Sequence, residues 1–366
     1  MPKIIVFTQD LDFYSEQLLN GLTKNGYEVL CVVDPRQRES FPKWESKLNI
    51  IELVELCGRL DIKAAKKYSE LIKHHRPDIC LCYTSRALSV ALKAKRYAKL
   101  TVPVVGTRGA VGGISCWNLQ DWFSYLNPSL DAVICMSNAI RNRLEQQARY
   151  LWRAHPGKFV TIYQGYSSLL ASATTRNHRD RSVTSPRVMM SVTNERPIKG
   201  MMHLLDALEY HVVCQNWELI WVGEVSEATK KRITSSSKLK QRVVCLGYRA
   251  DARALLAQAD LYLQPTIAPG EGIGNAIAEA MAAELTVVTS NVGGAPELVG
   301  LVSAELLFES ANARAIAKVL DKLLVNTTQC EQFGRTGAQV LRTQFNLDNE
   351  IAQHIALFQE LASKKY

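Results

Sequence analysis

The sequence lacks any long apolar run. No stretch approaches the roughly 18 consecutive apolar residues of a membrane-spanning helix. The first ten residues also lack the apolar core and small-residue cleavage site of a signal peptide. With 47% hydrophobic residues and a mean hydropathy of -0.07, the 366-residue chain is neither disordered nor collagen-like. We therefore expect a soluble, two-domain globular protein that stays in the cytoplasm.

A disulfide or metal framework is also missing. The nine cysteines are odd in number and lie mostly in apolar runs, as reduced core residues do; those in such runs are Cys31, Cys80, Cys82, Cys135 and Cys245. Cys80 and Cys82 are two residues apart, which we expect to place them on alternate faces of a strand and which disfavours a metal site. No helix-turn-helix, zinc or aromatic-basic motif is evident. We expect neither a metal nor a nucleic-acid partner.

Strand and helix patterns alternate along the chain in two series. In the first, strands at 3–7 and 28–33 flank a helix at 14–24. Residues 167–186 show little periodicity, and a second series starts at Val188. This pattern predicts an α/β protein with two Rossmann-like, parallel-sheet domains that face a cleft. The expected parts are an N-terminal domain at 1–165, a linker at 166–186, a C-terminal domain at 187–344 and a terminal helix at 345–366.

A glycine-bearing loop follows a strand of the second series and runs into a helix. In this loop Gly272 and Gly274 let the backbone approach a ligand closely. The N–H groups of Gly274, Asn275 and Ala276 lie at the positive end of the helix, which Asn275 can cap. The segment therefore predicts an anion cradle suited to a diphosphate.

Two carboxylates flank this cradle. Glu271 precedes it and Glu279 lies about one turn into the helix, so both can contact one ligand. A carboxylate that accepts from two vicinal hydroxyls makes charge-assisted hydrogen bonds worth about 1.5–3 kcal/mol. Ribose and hexose both offer such hydroxyl pairs. The alternative is that Glu279 is a solvated helix residue and Glu271 a partner of the helix dipole.

The segment resembles the donor site of retaining GT-B glycosyltransferases of family 4. The resemblance rests on the Glu271–Glu279 spacing, on Glu-Gly-Ile-Gly at 271–274 and on Gly-Gly-Ala-Pro-Glu at 293–297. It covers most of the chain and implies a GT-B fold in which the terminal helix at 345–366 crosses back to the first domain. In that family the second glutamate binds the ribose hydroxyls and the first contacts the transferred sugar, roles that fall here on Glu279 and Glu271. The loop residues implied in donor binding are Gly272, Ile273, Gly274, Asn275 and Ala276.

The resemblance also implies a cationic clamp on the donor diphosphate. Lys199-Gly200 fits the family pattern, but Thr193-Asn194 stands where Gly-Arg is expected. The arginine's role is therefore either lost or taken by Arg196, for which a solvated loop charge is the alternative. Cations that face a leaving diphosphate stabilise charge that grows in the transition state.

Two further segments resemble the part of the family site that meets the nucleotide. Gly247 and Tyr248 match the segment whose backbone contacts the nucleobase, and Gly223 lies in the matching turn before it. With them, Asn194 completes the residues that the resemblance implies in donor binding.

The first domain departs from the family pattern. None of the seven histidines lies between His75 and His155, so the family's histidine is missing. Arg108 stands in its place and, with Glu271, Lys199 and Arg196, is a candidate catalytic residue. An arginine can hold a phosphate or a sugar hydroxyl but cannot accept a proton. The leaving phosphate takes the acceptor's proton in the usual description of this transfer, so activity does not require the histidine.

Four other residues of the first domain are candidate acceptor contacts. Gly112, Gly113 and Trp117 lie in a loop of the domain where the family binds acceptors, although core packing is the alternative for the tryptophan. Asp10 opens an Asp-Leu-Asp sequence that imitates a metal motif, but its place after the first strand favours a turn or an acceptor contact.

These observations predict a retaining, metal-independent hexosyl-type glycosyltransferase without a cofactor. It would move a sugar from a nucleotide diphosphate sugar, UDP or GDP, to a hydroxyl of a glycan or glycolipid. The expected setting is the synthesis of lipopolysaccharide, capsule or another surface polysaccharide of bacterial type. A GT-B sugar-nucleotide epimerase and a non-catalytic sugar-nucleotide-binding subunit stay open as alternatives.

The charge of the chain is divided unequally. The net charge is +9, with 44 Lys and Arg against 35 Asp and Glu. Residues 1–165 carry 23 of those basic residues and 15 of the acidic ones, while 166–366 carry 21 and 20. The excess predicts that the first domain meets an anionic membrane surface or a phosphorylated glycolipid acceptor, with solvated helix faces as the alternative.

Overall fold

The computed structural model describes residues 1–9, 11–34, 48–149, 158–167 and 185–364. The chain divides into two compact units, one of Met1–Gly165 with Leu347–Tyr366 and the other of Tyr166–Asn346. Each unit is built on one parallel sheet. The predicted α/β class with two parallel sheets is confirmed.

The first unit alternates strands and helices along the chain. Within the ranges described above, its strands are β1 (Lys3–Thr8), β2 (Glu28–Val33), β3 (Asn49–Leu53), β4 (Ile79–Cys82), β5 (Val104–Arg108), β6 (Ala132–Cys135) and β7 (Phe159–Thr161). Its helices up to this point are α1 (Phe13–Lys24), α2 (Ile62–His75), α3 (Ser85–Tyr97), α4 (Leu119–Trp122) and α5 (Asn138–Arg149). The strands are ordered β3-β2-β1-β4-β5-β6-β7. The sequence patterns did not predict β3 or α4.

The second unit repeats this alternation. Its strands are β8 (Arg187–Val192), β9 (Trp217–Val222), β10 (Val243–Gly247), β11 (Leu261–Gln264), β12 (Thr286–Ser290) and β13 (Leu307–Phe308). Its helices are α6 (Met201–Asp206), α7 (Glu227–Ser235), α8 (Ala252–Leu255), α9 (Asn275–Ala282), α10 (Ala295–Val299), α11 (Ala313–Leu324) and α12 (Thr327–Gln344). The strands are ordered β10-β9-β8-β11-β12-β13.

The strand order of each sheet contains a topological switch point. In the second unit it falls between β8 and β11, where the loops that follow the two strands run to opposite sides of the sheet. Ligands of open parallel sheets bind in the crevice that forms there, outside the carboxyl ends of the strands. Lys199 follows β8 and Glu271 follows β11, so the topology alone brings these two residues to one edge.

A terminal helix, α13 (Leu347–Ser363), belongs to the first unit and packs on α1. Gly21 of α1 permits the close approach, since a Cβ there would lie 2.2 Å from Ile351. Glu350 is buried and accepts a hydrogen bond of 2.9 Å from the backbone N–H of Gly165. Burial raises the pKa of Glu350 to about 8, and the charge of Asp12 adds to the shift, while the Gly165 bond opposes it.

The next turn of α13 carries a second buried titratable group. His354 lies at hydrogen-bond distance, 2.9 Å through Nδ1, from the backbone oxygen of Glu350. Burial lowers the pKa of His354 to about 4, so the imidazole is neutral at pH 7.

The cysteines are free thiols, as expected, but two details of the prediction were wrong. Cys80 and Cys82 belong to the same core cluster, because residues two apart on a strand share a face. Cys245 is half-buried rather than core, since β10 is an edge strand. In the described parts of the chain, no helix has the length and apolar character needed to cross a bilayer.

Candidate functional site

The loop after β8 presents Lys199 at the edge of the second sheet. A 3-10 turn, Pro197–Lys199, ends at Gly200 in the left-handed conformation, with φ of 68°. A Cβ at Gly200 would lie 1.8 Å from the backbone oxygen of Pro265 after β11, so glycine is required for this close approach. The two loops are also joined by the N–H of Ile267, which donates to Ile198 at 2.8 Å. Lys199 is thereby held against the loop that carries Glu271.

Lys199 and Glu271 form an ion pair. Lys199 Nζ lies 2.6 Å from Glu271 Oε2, and the side chains are 13% and 29% exposed. The Nε2 of Gln264, at the end of β11, lies 3.4 Å from the same carboxylate oxygen. Within the part of the chain that the structure describes, no hydrogen bond involves Glu271 Oε1. One oxygen of the carboxylate is thus held by the protein, and the other can accept from a ligand.

The Glu271 loop packs against the turn at 293–294. Gly293 has φ of 65°, and a Cβ there would lie 2.2 Å from the backbone oxygen of Glu271. The N–H of Gly294 donates to that oxygen at 2.9 Å. The two-glycine sequence before α10 therefore shapes the Glu271 loop from behind.

Helix α9 starts at the end of this loop. Gly274 is its N-cap, in extended conformation, and no described side chain caps the helix. Asn275 is the first helical residue, so the prediction that its side chain caps the helix was wrong. The helix presents its N-terminus, formed by Gly274, Asn275 and Ala276, at the position predicted for a diphosphate. Gly272 is buried and Ile273 is half-buried in the loop before it.

Glu279 lies on α9 with a cation beside it. Arg253 of α8 donates through Nη2 to Glu279 Oε1 at 2.9 Å, and Glu279 is only 17% exposed at its side chain. Glu279 is therefore not a solvated helix residue, which was the alternative interpretation. A half-buried carboxylate oriented by a cationic partner is a suitable acceptor for hydroxyl groups.

The ends of β8, β9 and β10 bring together the residues predicted to contact the nucleotide. Gly223 donates its N–H to the backbone oxygen of Gly247 at 2.8 Å. Asn194 Oδ1 accepts from the N–H of Glu224 at 2.9 Å. Tyr248 follows β10 and is 75% exposed, so its ring is accessible to a ligand.

Glu195 fixes the neighbouring turn. It accepts from the N–H of Ser226 at 2.6 Å and from Thr229 Oγ1 at 2.8 Å. Burial acts to raise the pKa of Glu195, but these hydrogen bonds outweigh it and lower that pKa. Arg196, beside it, is exposed and makes no ion pair with any described residue. Its guanidinium is thus accessible to an anionic ligand.

Comparisons with known proteins agree with this geometry. The family model for Glycosyl transferases group 1 matches residues 186–326, and the model for Glycosyltransferase Family 4 matches residues 13–167. The chain belongs to family 4 of the glycosyltransferases.

Curated relatives match part of the family 4 chain. N-acetyl-alpha-D-glucosaminyl L-malate synthase of Bacillus anthracis is 23% identical over 178 residues, which are 48% of this chain and 46% of the relative. The amylovoran biosynthesis glycosyltransferase AmsK of Erwinia amylovora is 30% identical over 186 residues, 48% of this chain and 44% of the relative. The chain thus spans less than half the length of each of these curated relatives.

A solved structure matches the fold over nearly the whole chain. The Anabaena protein Alr3699/HepE, in complex with UDP, has a TM-score of 0.78 at 21% identity, and the match covers 98% of this chain and 100% of that one. The predicted GT-B fold is confirmed. At this identity the match establishes the fold alone.

In the first unit of the family 4 chain, Arg108 is bound to its own loop. It lies at the end of β5, donates through Nε to the backbone oxygen of Ala110 at 2.8 Å and through Nη2 to that of Gly112. Its guanidinium also lies 5.1 Å from the centre of the Tyr125 ring. These contacts support a role in shaping the loop, and the catalytic role of Arg108 stays a prediction.

The loop after β5 exposes a tryptophan. Gly113 has φ of 74°, and beyond it Trp117 is 91% exposed, so core packing does not explain this side chain. Trp122 donates through Nε1 to the backbone oxygen of Cys116 at 2.8 Å, which ties the loop to α4. The other predicted acceptor contact, Asp10, lies outside the described residues.

Gln264, Arg253 and Glu195 contact or position the candidate site but were missed in the sequence. Gln264 lies in a strand pattern, Arg253 in a helix pattern and Glu195 among loop residues, so spacing distinguishes none of them. One signal was present for Gln264, because a glutamine at the end of a buried strand needs a hydrogen-bond partner. The described residues also contain no group of three His, Cys, Asp or Glu side chains that could hold a metal ion.

Proposed function

We propose that the protein is a retaining glycosyltransferase that uses a nucleotide diphosphate sugar. The observation that carries the proposal is the meeting of Lys199 with Glu271 at the switch point of the second sheet, directly before the N-terminus of α9. A cation, a helix N-terminus and two oriented carboxylates are the groups that a diphosphate flanked by a ribose and a hexose requires.

In the proposed complex the second unit binds the whole donor. Glu279 accepts from the ribose hydroxyls, and Glu271 accepts from hydroxyls of the transferred sugar. Lys199, Arg196 and the N–H groups at the start of α9 neutralise the diphosphate. Since negative charge grows on the diphosphate as the bond to the sugar breaks, these groups stabilise the transition state more than the ground state.

The proposed transfer retains the anomeric configuration. The acceptor hydroxyl attacks the anomeric carbon on the face from which the diphosphate leaves, and its proton passes to the leaving phosphate oxygen. The protein then needs no proton acceptor of its own at the acceptor, which accords with arginine rather than histidine at 108. We propose that the step needs no metal ion, because cationic side chains and the helix N-terminus take the metal's electrostatic role.

The donor nucleotide is proposed to be UDP or GDP. UDP is bound by the structurally similar Anabaena protein. Amylovoran synthesis by the Erwinia relative supports a role in making a surface polysaccharide or glycolipid. We propose that the first unit presents the acceptor hydroxyl, with Gly112, Gly113, Trp117 and Asp10 as contacts.

The basic face of the first unit supports an anionic acceptor or a membrane surface. Helices α2 and α3 pack together on one face of the sheet. The exposed cations on these two helices, or within two residues after them, are Lys63, Lys66, Lys73, Arg76, Arg96 and Lys99. We propose peripheral contact with anionic lipid through this face. Co-sedimentation with vesicles that does not depend on anionic lipid or on salt would contradict this part of the proposal.

Calorimetry with UDP, GDP, ADP and TDP tests the donor assignment. We expect one nucleotide to bind, and radiolabelled sugar from the matching donor to appear in an acceptor fraction at unchanged rate after addition of EDTA. Absence of binding to all four nucleotides would refute the proposal.

The second candidate is a non-catalytic sugar-nucleotide-binding subunit. It is favoured by Asn194, which accepts a hydrogen bond from Glu224 at a position where the family carries arginine. Binding without transfer or donor hydrolysis would support it.

A further inference from the structure

The strand beneath the Glu271 loop carries two buried polar side chains on one face. Tyr262 and Gln264 of β11 are 0% and 6% exposed, and they lie two residues apart, so they point to the same side of the sheet. The Tyr262 hydroxyl donates to Gln264 Oε1 at 2.8 Å. Buried polar groups cost free energy unless each has a partner, so this pair requires an explanation beyond packing.

Tyr262 and Glu271 together determine which way the glutamine amide faces, because the Glu271 carboxylate can only accept and so takes the Nε2 side. A phenolic hydroxyl in contact with Oε1 must act as the donor, because an amide oxygen can only accept. Burial raises the pKa of Tyr262, a hydrogen bond with the Val192 backbone opposes the shift, and the charges of Glu279 and Glu271 add to it, so the hydroxyl keeps its proton. With Oε1 facing Tyr262, the Nε2 donor faces the other way, toward Glu271.

The glutamine and Lys199 hold the same oxygen of Glu271. Gln264 Nε2 lies 3.4 Å from Glu271 Oε2, and Lys199 Nζ lies 2.6 Å from it. Gly274 leaves room for the amide, since a Cβ there would lie 3.2 Å from Gln264 Nε2. Two donors on Oε2 fix the rotation of the carboxylate and leave Oε1 to accept from a ligand. Lys199 is also proposed to bind the diphosphate. Of the two donors, Gln264 is therefore the one whose Nε2 is directed to Glu271 alone.

We propose that Gln264, oriented by Tyr262, is a positioning residue that sets Glu271 for recognition of the transferred sugar. The inference rests on the proposed function, and it adds that recognition of the sugar is separable from recognition of the nucleotide. Removing the Gln264 amide should weaken binding of the sugar nucleotide and should leave binding of the free nucleotide diphosphate unchanged. A merely structural role would affect both ligands alike.

Calorimetry on the full chain measures this separation. The dissociation constants of the nucleotide diphosphate that binds best and of its glucose, N-acetylglucosamine, galactose and mannose conjugates are measured for the wild type, Gln264→Leu and Tyr262→Phe. For Gln264→Leu we expect the ratio of sugar-conjugate to free-nucleotide dissociation constants to rise about 5- to 10-fold. Tyr262→Phe should raise this ratio by a smaller factor, because the Gln264 amide is retained but can flip about its χ3 bond.

Thr289→Val is the matched control. Thr289 is buried on the neighbouring strand β12 and donates to the backbone oxygen of Gln264, not to its side chain. We expect its ratio to equal that of the wild type. The free nucleotide also reports on folding, since a misfolded variant would lose both ligands.

The outcomes separate the inference from the proposed function. An unchanged ratio in a Gln264→Leu variant that still binds the free nucleotide would overturn the inference and leave the proposed function intact, whether neither ligand or both are weakened. A wild type that binds none of the nucleotides would overturn both.

Discussion

The two candidate regions of this protein differ in how their charged side chains are used. In the second unit, Lys199 pairs with Glu271 and Arg253 pairs with Glu279 at 2.6 and 2.9 Å, so the charged groups of this region are paired with groups of opposite sign. In the first unit, Arg108 donates hydrogen bonds to backbone oxygens of its own loop, and Trp117 is 91% exposed. The region in the second unit is preorganised by electrostatics, and the region in the first unit by loop shape.

This difference accords with the tasks proposed for the two units. A donor diphosphate brings the same charges whatever the acceptor, and oriented groups of opposite charge act on it without reorganisation. An acceptor varies in shape and polarity, so exposed aromatic and backbone groups suit it better. Substitutions at the site in the second unit should therefore change the transfer rate or the donor affinity. Substitutions in the first unit should change the binding of the acceptor.

Loss of Lys199 should give the largest effect. Lys199→Ala removes a cation that we place on the leaving diphosphate, and we expect the transfer rate to fall about 10²- to 10³-fold. Steady-state transfer from a radiolabelled donor measures this fall. Lys230→Ala is the control, because Lys230 is an exposed lysine of the same unit paired with Glu227. Equal rates for Lys199→Ala and wild type would remove the chemical distinction between the units.

Loss of Glu279 should weaken the nucleotide itself. For Glu279→Ala we expect binding of the nucleotide diphosphate to weaken by about 1.5–3 kcal/mol, because the ribose hydroxyls lose a charged acceptor. Arg253→Ala should weaken it by about 1 kcal/mol, since Glu279 stays but loses its fixed orientation. Calorimetry measures both. A nucleotide affinity that is unchanged in Glu279→Ala would contradict the proposed donor site.

The first unit should instead show its buried charges in the pH dependence of stability. Glu350 has a pKa raised to about 8, so the folded chain keeps a proton that the unfolded chain releases above about pH 4.5. The free energy of unfolding therefore falls as the pH rises from about 4.5 to 8. His354, with a pKa lowered to about 4, acts in the opposite direction and only below about pH 6.5.

Between pH 6.5 and 8 the slope then comes from Glu350. Denaturant titrations of the full chain should show a loss of about 2 kcal/mol in the free energy of unfolding across this window. Glu350→Gln should abolish the loss, because an amide oxygen can still accept from Gly165 but does not titrate. Glu360→Gln is the control, since Glu360 lies on the same helix, exposed and paired with Lys364. The same slope in Glu350→Gln and wild type would show that another group titrates.

The fold was predictable because its signals are local. Runs such as 28–33, apolar on both faces and separated by helical patterns, predict a buried parallel strand, and β2 has these bounds. The same pattern did not predict a strand that contains polar residues. Strand β3 carries Asn49 and Glu52 at the edge of the sheet, and such a strand lacks the continuous apolar run of a central one.

The site was predictable only in part. Glycines and paired glutamates in one short segment mark the Glu271 loop, because close approach and charge require those residue types there. Partners from distant elements carry no such mark. Arg253 and Gln264 meet the glutamates because α8 begins shortly after β10 and Gln264 ends β11, at the edge where parallel strands have their carboxyl ends. One sequence does not show such pairings. The cap of α9 was mispredicted because an extended glycine can replace an asparagine side chain there.

Trp117 provides the smallest effect on the molecule itself and the sharpest test of the first unit. Because the ring is 91% exposed, Trp117→Ala should change the free energy of unfolding by less than about 0.5 kcal/mol. Nucleotide affinity should be unchanged, while the KM for a glycan or glycolipid acceptor should rise, since a sugar ring loses its aromatic contact. Phe123→Ala is a matched control, as Phe123 is also exposed, near α4, and carries no proposed contact. If Trp117→Ala changed nucleotide affinity and left the acceptor KM unchanged, the donor and acceptor assignments of the two units would both be wrong.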